Sequence, residues 1–236
     1  MSGTWATPTA FPDLTPGQVH VWRVRTDAAL PADADLLSDD ERRRADAFRT
    51  ETLRRRHVAS HAALRRVLGG CLGVSGATLR FGFNPWGKPR LADGRIGFNL
   101  SHSGPWALVA VATDGEVGVD VETISHPPPL DVAGIAYSQA ERSALAGLSG
   151  PALTAAFYAI WTRKEALSKG IGRGFSFDFT SFSVSIDPLA AVSRPVLPPD
   201  LASGAAWYLH NLPAIEGAVG ALAVPGRRFE IATWQF

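Results

Sequence analysis

Asp120 and Glu122 stand two residues apart in the stretch GVDVE, residues 118–122, whose other members are valine and glycine. In an extended chain, side chains two apart share a face and lie about 7 Å from each other along the strand. Two like charges so placed repel unless water solvates both or something positive sits between them. A lone D-x-E on a strand is ordinarily a solvated face. Reading it as a divalent-cation site requires a third oxygen ligand and an anionic substrate elsewhere in the chain.

Glu165 is the candidate third ligand, inside FYAIWTRKEALSKG, residues 157–170. On a helix Trp161, Glu165 and Lys169 lie four apart and share one face, and a solvated Glu–Lys pair beside a core Trp would contribute only a few tenths of a kcal/mol. Joined to GVDVE, the same glutamate completes a donor set suited to Mg²⁺, which keeps waters and shares its shell with substrate phosphates. Groups that could meet such phosphates stand in separate loops and helices. FNLSHSG offers Ser101 and His102 before a glycine, and WGKPR holds Lys88 between Gly87 and Pro89. TLRRRHVA carries Arg54, Arg55 and Arg56, whose guanidinium forks match phosphate oxygens. Each has an ordinary structural reading, as a turn cap, a solvated lysine or a helix surface. Together they describe a polyphosphate site. Two other motifs fail: LSHSG lacks the glycine that precedes the serine in a nucleophile elbow, and GIGRG at 170–174 follows a helix instead of opening one.

The elements that must position these residues follow from periodicity. QVHVWRVR, residues 18–25, alternates as a strand with Val19, Val21 or Trp22, and Val24 facing inward. SDDE at Ser38 is a capping box, and the helix after it should break near Thr50 and end at Gly69–Gly70. IGFNLSHS and WALVAVA read as paired strands, and Asp114–Gly115 as a hairpin turn into EVGVDVE. SHPPP, 125–129, cannot be regular structure. SQAERSALAGL is a short helix, and PALTAAFYAIWTRKEALSKGIG a long one with Pro151 in its first turn and Gly170 at its end. FSFDFTSFSVSI, AAWYLHNL and GAVGALAV read as strands, with 187–206 a surface excursion. The order strand, helix, strands, then strand, helices, strands suggests two halves with one plan, 1–113 and 114–236.

The chain of 236 residues is 46% hydrophobic with a formal net charge of +1. That supplies a sizeable core and argues against a general nucleic-acid binder, whose mark is a strongly basic face. The single cysteine, Cys71, excludes an internal disulfide framework and a cysteine-rich zinc site. The first residues lack the basic start and apolar run of a secretory signal, and no stretch reaches the roughly 18 apolar residues of a membrane span. The expectation is a cytoplasmic protein, a monomer, without nucleic-acid or membrane partners.

WGKPR, FNLSHSG, GVDVE and FYAIWTRKEALSKGIGRG, in this order across residues 86–174, resemble the surfactin-type (Sfp-like) 4′-phosphopantetheinyl transferases. The arginine-rich helix before them fits too, the tail only in general character, and the first 17 residues not at all. The resemblance implies an α+β fold, a pseudo-dimer of two similar α/β subdomains with coenzyme A in the cleft between them. It implies transfer of the phosphopantetheine arm of coenzyme A to a serine of apo acyl or peptidyl carrier proteins, with Mg²⁺ as cofactor. The carriers would serve polyketide, nonribosomal peptide or fatty acid synthesis, with WTRKEA closer to the broad-specificity branch. By the same resemblance Asp120, Glu122 and Glu165 are the magnesium ligands, and His102, with Ser101 beside it, contacts the pyrophosphate. Lys88 and Pro89 belong to the nucleotide pocket, and Lys169 touches the transferred phosphate. Arg56, or else Arg55, grips the 3′-phosphate, with Arg42 or Arg43 as further contacts. Glu165, directly or through water, takes the serine proton. The competing expectation is a catalytically silent binding module for coenzyme A or carrier protein, which should have lost a metal carboxylate or Lys169.

Overall fold

The structure, a computed structural model, describes residues 4–27, 33–92, 94, 96–113, 115–174, 177–199, 201, 205–226 and 229–236. Strand β1 (Gln18–Arg25) is buried at every position from Val19 to Trp22, not only on one face. Val19 and Val21 face a second sheet, while Trp22 packs with Leu64, Val67 and Leu68 of a helix. A strand covered on both sides reads as a near-continuous apolar run, so alternation alone understated its burial. Helix α1 (Asp39–Asp46) starts at the expected capping box, in which Ser38 Oγ accepts from Glu41 N–H and Glu41 accepts from Ser38 N–H. The chain breaks at Thr50, whose side chain caps helix α2 (Glu51–Leu72) by accepting from Leu53 N–H.

Gly69 and Gly70 do not end α2. A Cβ at Gly69 would lie 2.7 Å from Val74 O, and one at Gly70 2.7 Å from the Phe11 ring, so both permit close packing inside the helix. The stop is Gly73, at φ 65°. Short strands β2 (Phe81–Phe83) and β3 (Pro89–Leu91) form a ribbon around the WGKPR turn. Strands β4 (Gly97–Ser103) and β5 (Trp106–Ala112) pair antiparallel as expected, and β5 continues onto β1.

Strand β6 (Gly118–Thr123) does not form a hairpin with β5. It belongs to the second sheet, where its antiparallel partner is β9 (Ala218–Pro225). Gly115 therefore lies where the chain leaves one sheet for the other; Asp114 is outside the described residues. The SHPPP segment is irregular, and after it come helix α3 (Leu130–Ala136), which the sequence reading did not separate, α4 (Gln139–Ala146) and α5 (Gly150–Ile171). The second sheet runs β6-β9-β8-β7, with β7 (Val192–Ser193) and β8 (Trp207–Asn211). The last strand, β10 (Glu230–Gln235), pairs parallel with β1 of the first sheet, so the end of the chain crosses back.

The described part of FSFDFTSFSVSI forms no strand. Its carbonyls are taken by two cations of α5 that are themselves fully buried. Lys164 Nζ donates to Phe179 O and Phe182 O (2.8 Å), and Arg163 donates to Ser185 O and Asp187 O (2.8 Å). With those acceptors satisfied, the segment wraps the helix and buries Phe177, Phe182 and Val184 against it.

One structural device occurs twice. Ser138 and Glu141 cap α4 as Ser38 and Glu41 cap α1. Arg142 donates to the carbonyls of Gly134 and Tyr137, as Arg42 does to those of Ala34 and Leu37. Glu41 pairs with buried Arg65 of α2 at 2.8 Å, and Glu141 with buried Lys164 of α5 at 2.9 Å. Between the sheets lies a core of Val19, Val21, Leu108, Val119, Val121 and Leu222.

Candidate functional site

The face of β6 opposite that core carries Asp120 and Glu122, and α5 lies across it. Gly118 makes the approach possible: a Cβ there would stand 1.9 Å from Ala166 O and 2.3 Å from Gly170 N of the helix. No larger residue could occupy that position without moving the helix off the strand. The contact sets Glu165 and Lys169 of α5 beside the strand carboxylates, the arrangement expected from the D-x-E spacing.

Asp120 is 1% exposed. Its Oδ1 accepts from Ser101 Oγ at 2.8 Å and from Lys169 Nζ at 2.5 Å, while its Oδ2, also buried, has no partner among the described residues. Burial disfavours the carboxylate, Lys169 opposes that only in part, and Glu122 and Glu165 add repulsion, so the Asp120 pKa is pushed up to about 7. Burial also raises Glu165, with Lys169 pulling the other way and Glu122 reinforcing the rise. Burial disfavours the Lys169 ammonium, but Asp120, Glu165 and Glu122 outweigh it and its pKa goes up. Glu122 is held at both oxygens, Oε2 by Ser103 Oγ at 2.8 Å and Oε1 by Trp161 Nε1 at 3.2 Å. The Trp161 ring in turn stacks on Phe179.

Among the described residues no group of three or more His, Cys, Asp or Glu side chains is placed to hold a metal ion by itself. The donor chemistry nevertheless suits a hard cation. All the donors are carboxylate oxygens, Asp120 Oδ2 is buried and unspent, and Glu165 accepts no hydrogen bond among the described residues. Mg²⁺ rarely uses an all-protein cage and completes its shell with water and substrate phosphate.

Two adjoining cavities open here, the first of them with Glu165 in its wall. One, of about 270 Å³, is lined by Trp86, Lys88, Asn99, Glu165, Lys169 and Phe179 among others. The second, of about 420 Å³, includes Arg44, His61, Arg80, Phe81 and His102. Gly87, Pro89 and Asn99 line both, so the pair forms one cleft reaching from α5 to α1 and α2. The walls desolvate His102, and with His61 and Lys169 nearby its pKa is lowered.

Asp120, Glu122, Glu165, Lys169 and Ser101 thus come together, with Lys88, Pro89 and His102 on the walls of the same cleft. The Lys88 ammonium is already engaged, donating to Glu116, to Val117 O (3.3 Å) and to Gly170 O at the end of α5 (2.9 Å). Arg56 is half-buried on α2 and is not among the residues that line the two cavities, and its Nε is buried without a partner among the described residues. Arg54 and Arg55 are both tied to Glu51, and Arg42 and Arg43 to Asp39 and Asp40. Sequence reasoning missed Arg44, Arg80 and His61 as cleft residues. Arg44 is the third of a run whose first two members are spent on neighbouring aspartates, which spacing alone could not reveal.

A family model described as the 4′-phosphopantetheinyl transferase superfamily matches residues 116–219, from the approach to β6 into β9. The chain is 31% identical to the 4′-phosphopantetheinyl transferase HetI of Nostoc sp., over 99% of this chain and 98% of that protein. It is 29% identical to the 4′-phosphopantetheinyl transferase Sfp of Bacillus subtilis, over 67% of this chain and 70% of that one.

Proposed function

The chain belongs to the 4′-phosphopantetheinyl transferase superfamily and is a transferase that modifies carrier proteins, and from that premise we propose how its own residues do so. The donor is coenzyme A, bound in the cleft between two similar α/β subdomains, 1–113 and 114–236, with β10 handed back to the first. The repeated capping boxes and buried ion pairs support that pseudo-dimeric reading. The observation that carries the site assignment is the seam of β6 and α5, where three carboxylates and Lys169 meet beside an open cavity.

Asp120, Glu122 and Glu165 would hold Mg²⁺. Bound there, the ion would neutralise charge on the pyrophosphate oxygens, which is most of what phosphoryl transfer asks of an enzyme. His102 and Ser101 contact the pyrophosphate, Pro89 and the Lys88 stem wall the nucleotide pocket, and Lys169 contacts the phosphate that is transferred. The carrier serine hydroxyl attacks the phosphorus of the pantetheine arm, an oxygen–phosphorus bond forms, and the bond to the leaving 3′,5′-adenosine bisphosphate breaks. Glu165, whose carboxylate is disfavoured by burial, accepts the serine proton directly or through a water. Arg56 grips the 3′-phosphate; unlike Arg55, it is not already committed to Glu51.

No helix among the described residues is long and apolar enough to cross a membrane; action as a cytoplasmic monomer is part of the proposal. The test is to incubate the protein with an apo-carrier, coenzyme A and Mg²⁺ and to weigh the carrier by mass spectrometry. A gain of one phosphopantetheine, lost when the cation is chelated, is the expected result. No gain across several unrelated apo-carriers would leave the silent binding module as the better reading.

A further inference from the structure

The outer edge of β6 faces β4, yet no backbone ladder joins them. Side chains of β4 supply the rungs. Val119 N–H donates to Asn99 Oδ1 at 2.9 Å, Val121 N–H to Ser101 Oγ at 3.3 Å, and Thr123 N–H to Ser103 Oγ at 3.0 Å. A hydroxyl that accepts in this way still has its own hydrogen to give. Ser103 gives it to Glu122 Oε2 at 2.8 Å, and Ser101 gives its hydrogen to Asp120 Oδ1 at 2.8 Å. The accepted N–H bond therefore fixes which way each hydroxyl points.

From this geometry we infer that Ser103 is a positioning residue for the cation site, acting through Glu122 and opposed across that carboxylate by Trp161. The inference rests on the magnesium reading above. A glutamate has three rotatable bonds between its backbone and its carboxylate, and here two directional donors from different elements fix the far end. One comes from β4 of the first sheet and the other from α5, on a ring stacked against Phe179. A merely structural role for Ser103 would be confined to capping Thr123 N–H. Thr123 is exposed, so water can replace that contact and the strand should survive its loss. What water cannot replace is the orientation of Glu122. The role also crosses the two sheets: a residue from the first sheet's edge sets a ligand on the second.

The test measures Mn²⁺ binding, as a spectroscopic stand-in for Mg²⁺, to protein saturated with coenzyme A, with thermal melting run in parallel. Outer partners of metal ligands typically control affinity by about 10- to 100-fold. Ser103→Ala should weaken Mn²⁺ by that factor with melting unchanged, and transfer at saturating cation should stay within a few-fold of wild type. Ser103→Thr, which keeps the hydroxyl, should recover most of the affinity. Trp161→Phe, which removes the second donor and keeps an aromatic ring at that position, should weaken binding as well. Wild-type affinity in folded Ser103→Ala overturns the inference. Should Ser103→Ala fail to fold, wild-type affinity in Trp161→Phe overturns it instead. Absence of Mn²⁺ binding in the wild type is a separate result, and it would defeat the magnesium reading together with this consequence of it.

Discussion

Helices α2 and α5 invite comparison because so much about them is alike. Each has 22 residues, each lies across the first strand of its sheet, and each is tied by a buried cation to the capping-box glutamate of the short helix before it. They differ in what the strand beneath presents. Under α2, β1 offers Trp22 to Leu64, Val67 and Leu68, and the seam is dry. Under α5, β6 offers Asp120 and Glu122 to Glu165 and Lys169. Since α2 needs no carboxylates to hold its strand, those under α5 are not there for packing. Burying them costs stability, as the raised pKa of Asp120 records. One seam holds the fold; the other, in the function proposed above, carries the chemistry.

The largest effect expected from breaking the polar seam is on transfer. Asp120→Asn keeps the shape and the Ser101 contact but removes the negative charge. Transfer should fall by about 10²- to 10³-fold, as for loss of one preorganised charge-stabilising group. Because the native carboxylate is penalised by burial and by its acidic neighbours, the metal-free variant should melt at or above the wild-type temperature. A variant that melts several degrees lower, or that still transfers, would show that the seam is structural after all.

The dry seam should respond in the opposite way. Trp22 is 2% exposed and stacks on Phe11 with centroids 4.8 Å apart. Trp22→Ala should cost about 3–5 kcal/mol in urea unfolding, the usual range for emptying a large aromatic site. Transfer measured per folded molecule should hold. If kcat fell with stability intact, the two seams would be coupled and the comparison would fail.

How much of this the sequence disclosed depended on whether a residue broke the pattern of its own element. Asp120 and Glu122 interrupt a strand, and Glu165 and Lys169 recur at helical spacing beside Trp161, so the cluster was legible without coordinates. Arg163 and Lys164, in the same stretch, look equally functional, yet both are fully buried and serve the backbone of residues 179–187. Burial of a cation depends on what wraps it, and that segment looked like a strand. The pairing of β6 with β9 joins Gly118 to Ala223, too distant for any local turn signal to announce. Ser103 was invisible for a different reason: its importance lies in which carboxylate its hydroxyl reaches.

A smaller effect sharpens the comparison from the first half. Arg56 is the member of its run that is not ion-paired to Glu51, and a contact to the 3′-phosphate lies far from the reacting phosphorus. Binding that is equal in ground and transition states moves KM and leaves kcat alone. A charge-assisted contact contributes about 1.5–3 kcal/mol, so Arg56→Ala should raise KM for coenzyme A about 10- to 150-fold. Dephospho-coenzyme A lacks that phosphate, and wild type and variant should handle it almost equally. Equal losses on both substrates would remove Arg56 from the site and make Arg55 the next candidate.

The smallest effect concerns the ion pair that braces the dry seam, and it shows only in acid. Burial of Glu41 works against its charge, but hydrogen bonds from His61, Ser38 N–H and Arg65 outweigh it and bring the pKa down to about 2. An unfolded glutamate titrates near 4.3. Between those values the unfolded chain binds more protons than the native one, so stability falls as pH falls. This contribution is complete above about pH 5 and disappears progressively toward pH 2. Urea midpoints measured from pH 5 down to pH 2.5 should therefore decline less steeply in Glu41→Gln than in wild type, although the variant starts lower. The two curves should converge at the acid end, where the wild-type carboxylate has also been neutralised. Parallel curves would mean that Glu41 is not the carboxylate that titrates, and that the brace on α2 depends on Arg65 and its carbonyl contacts at Gly76 and Leu79 instead.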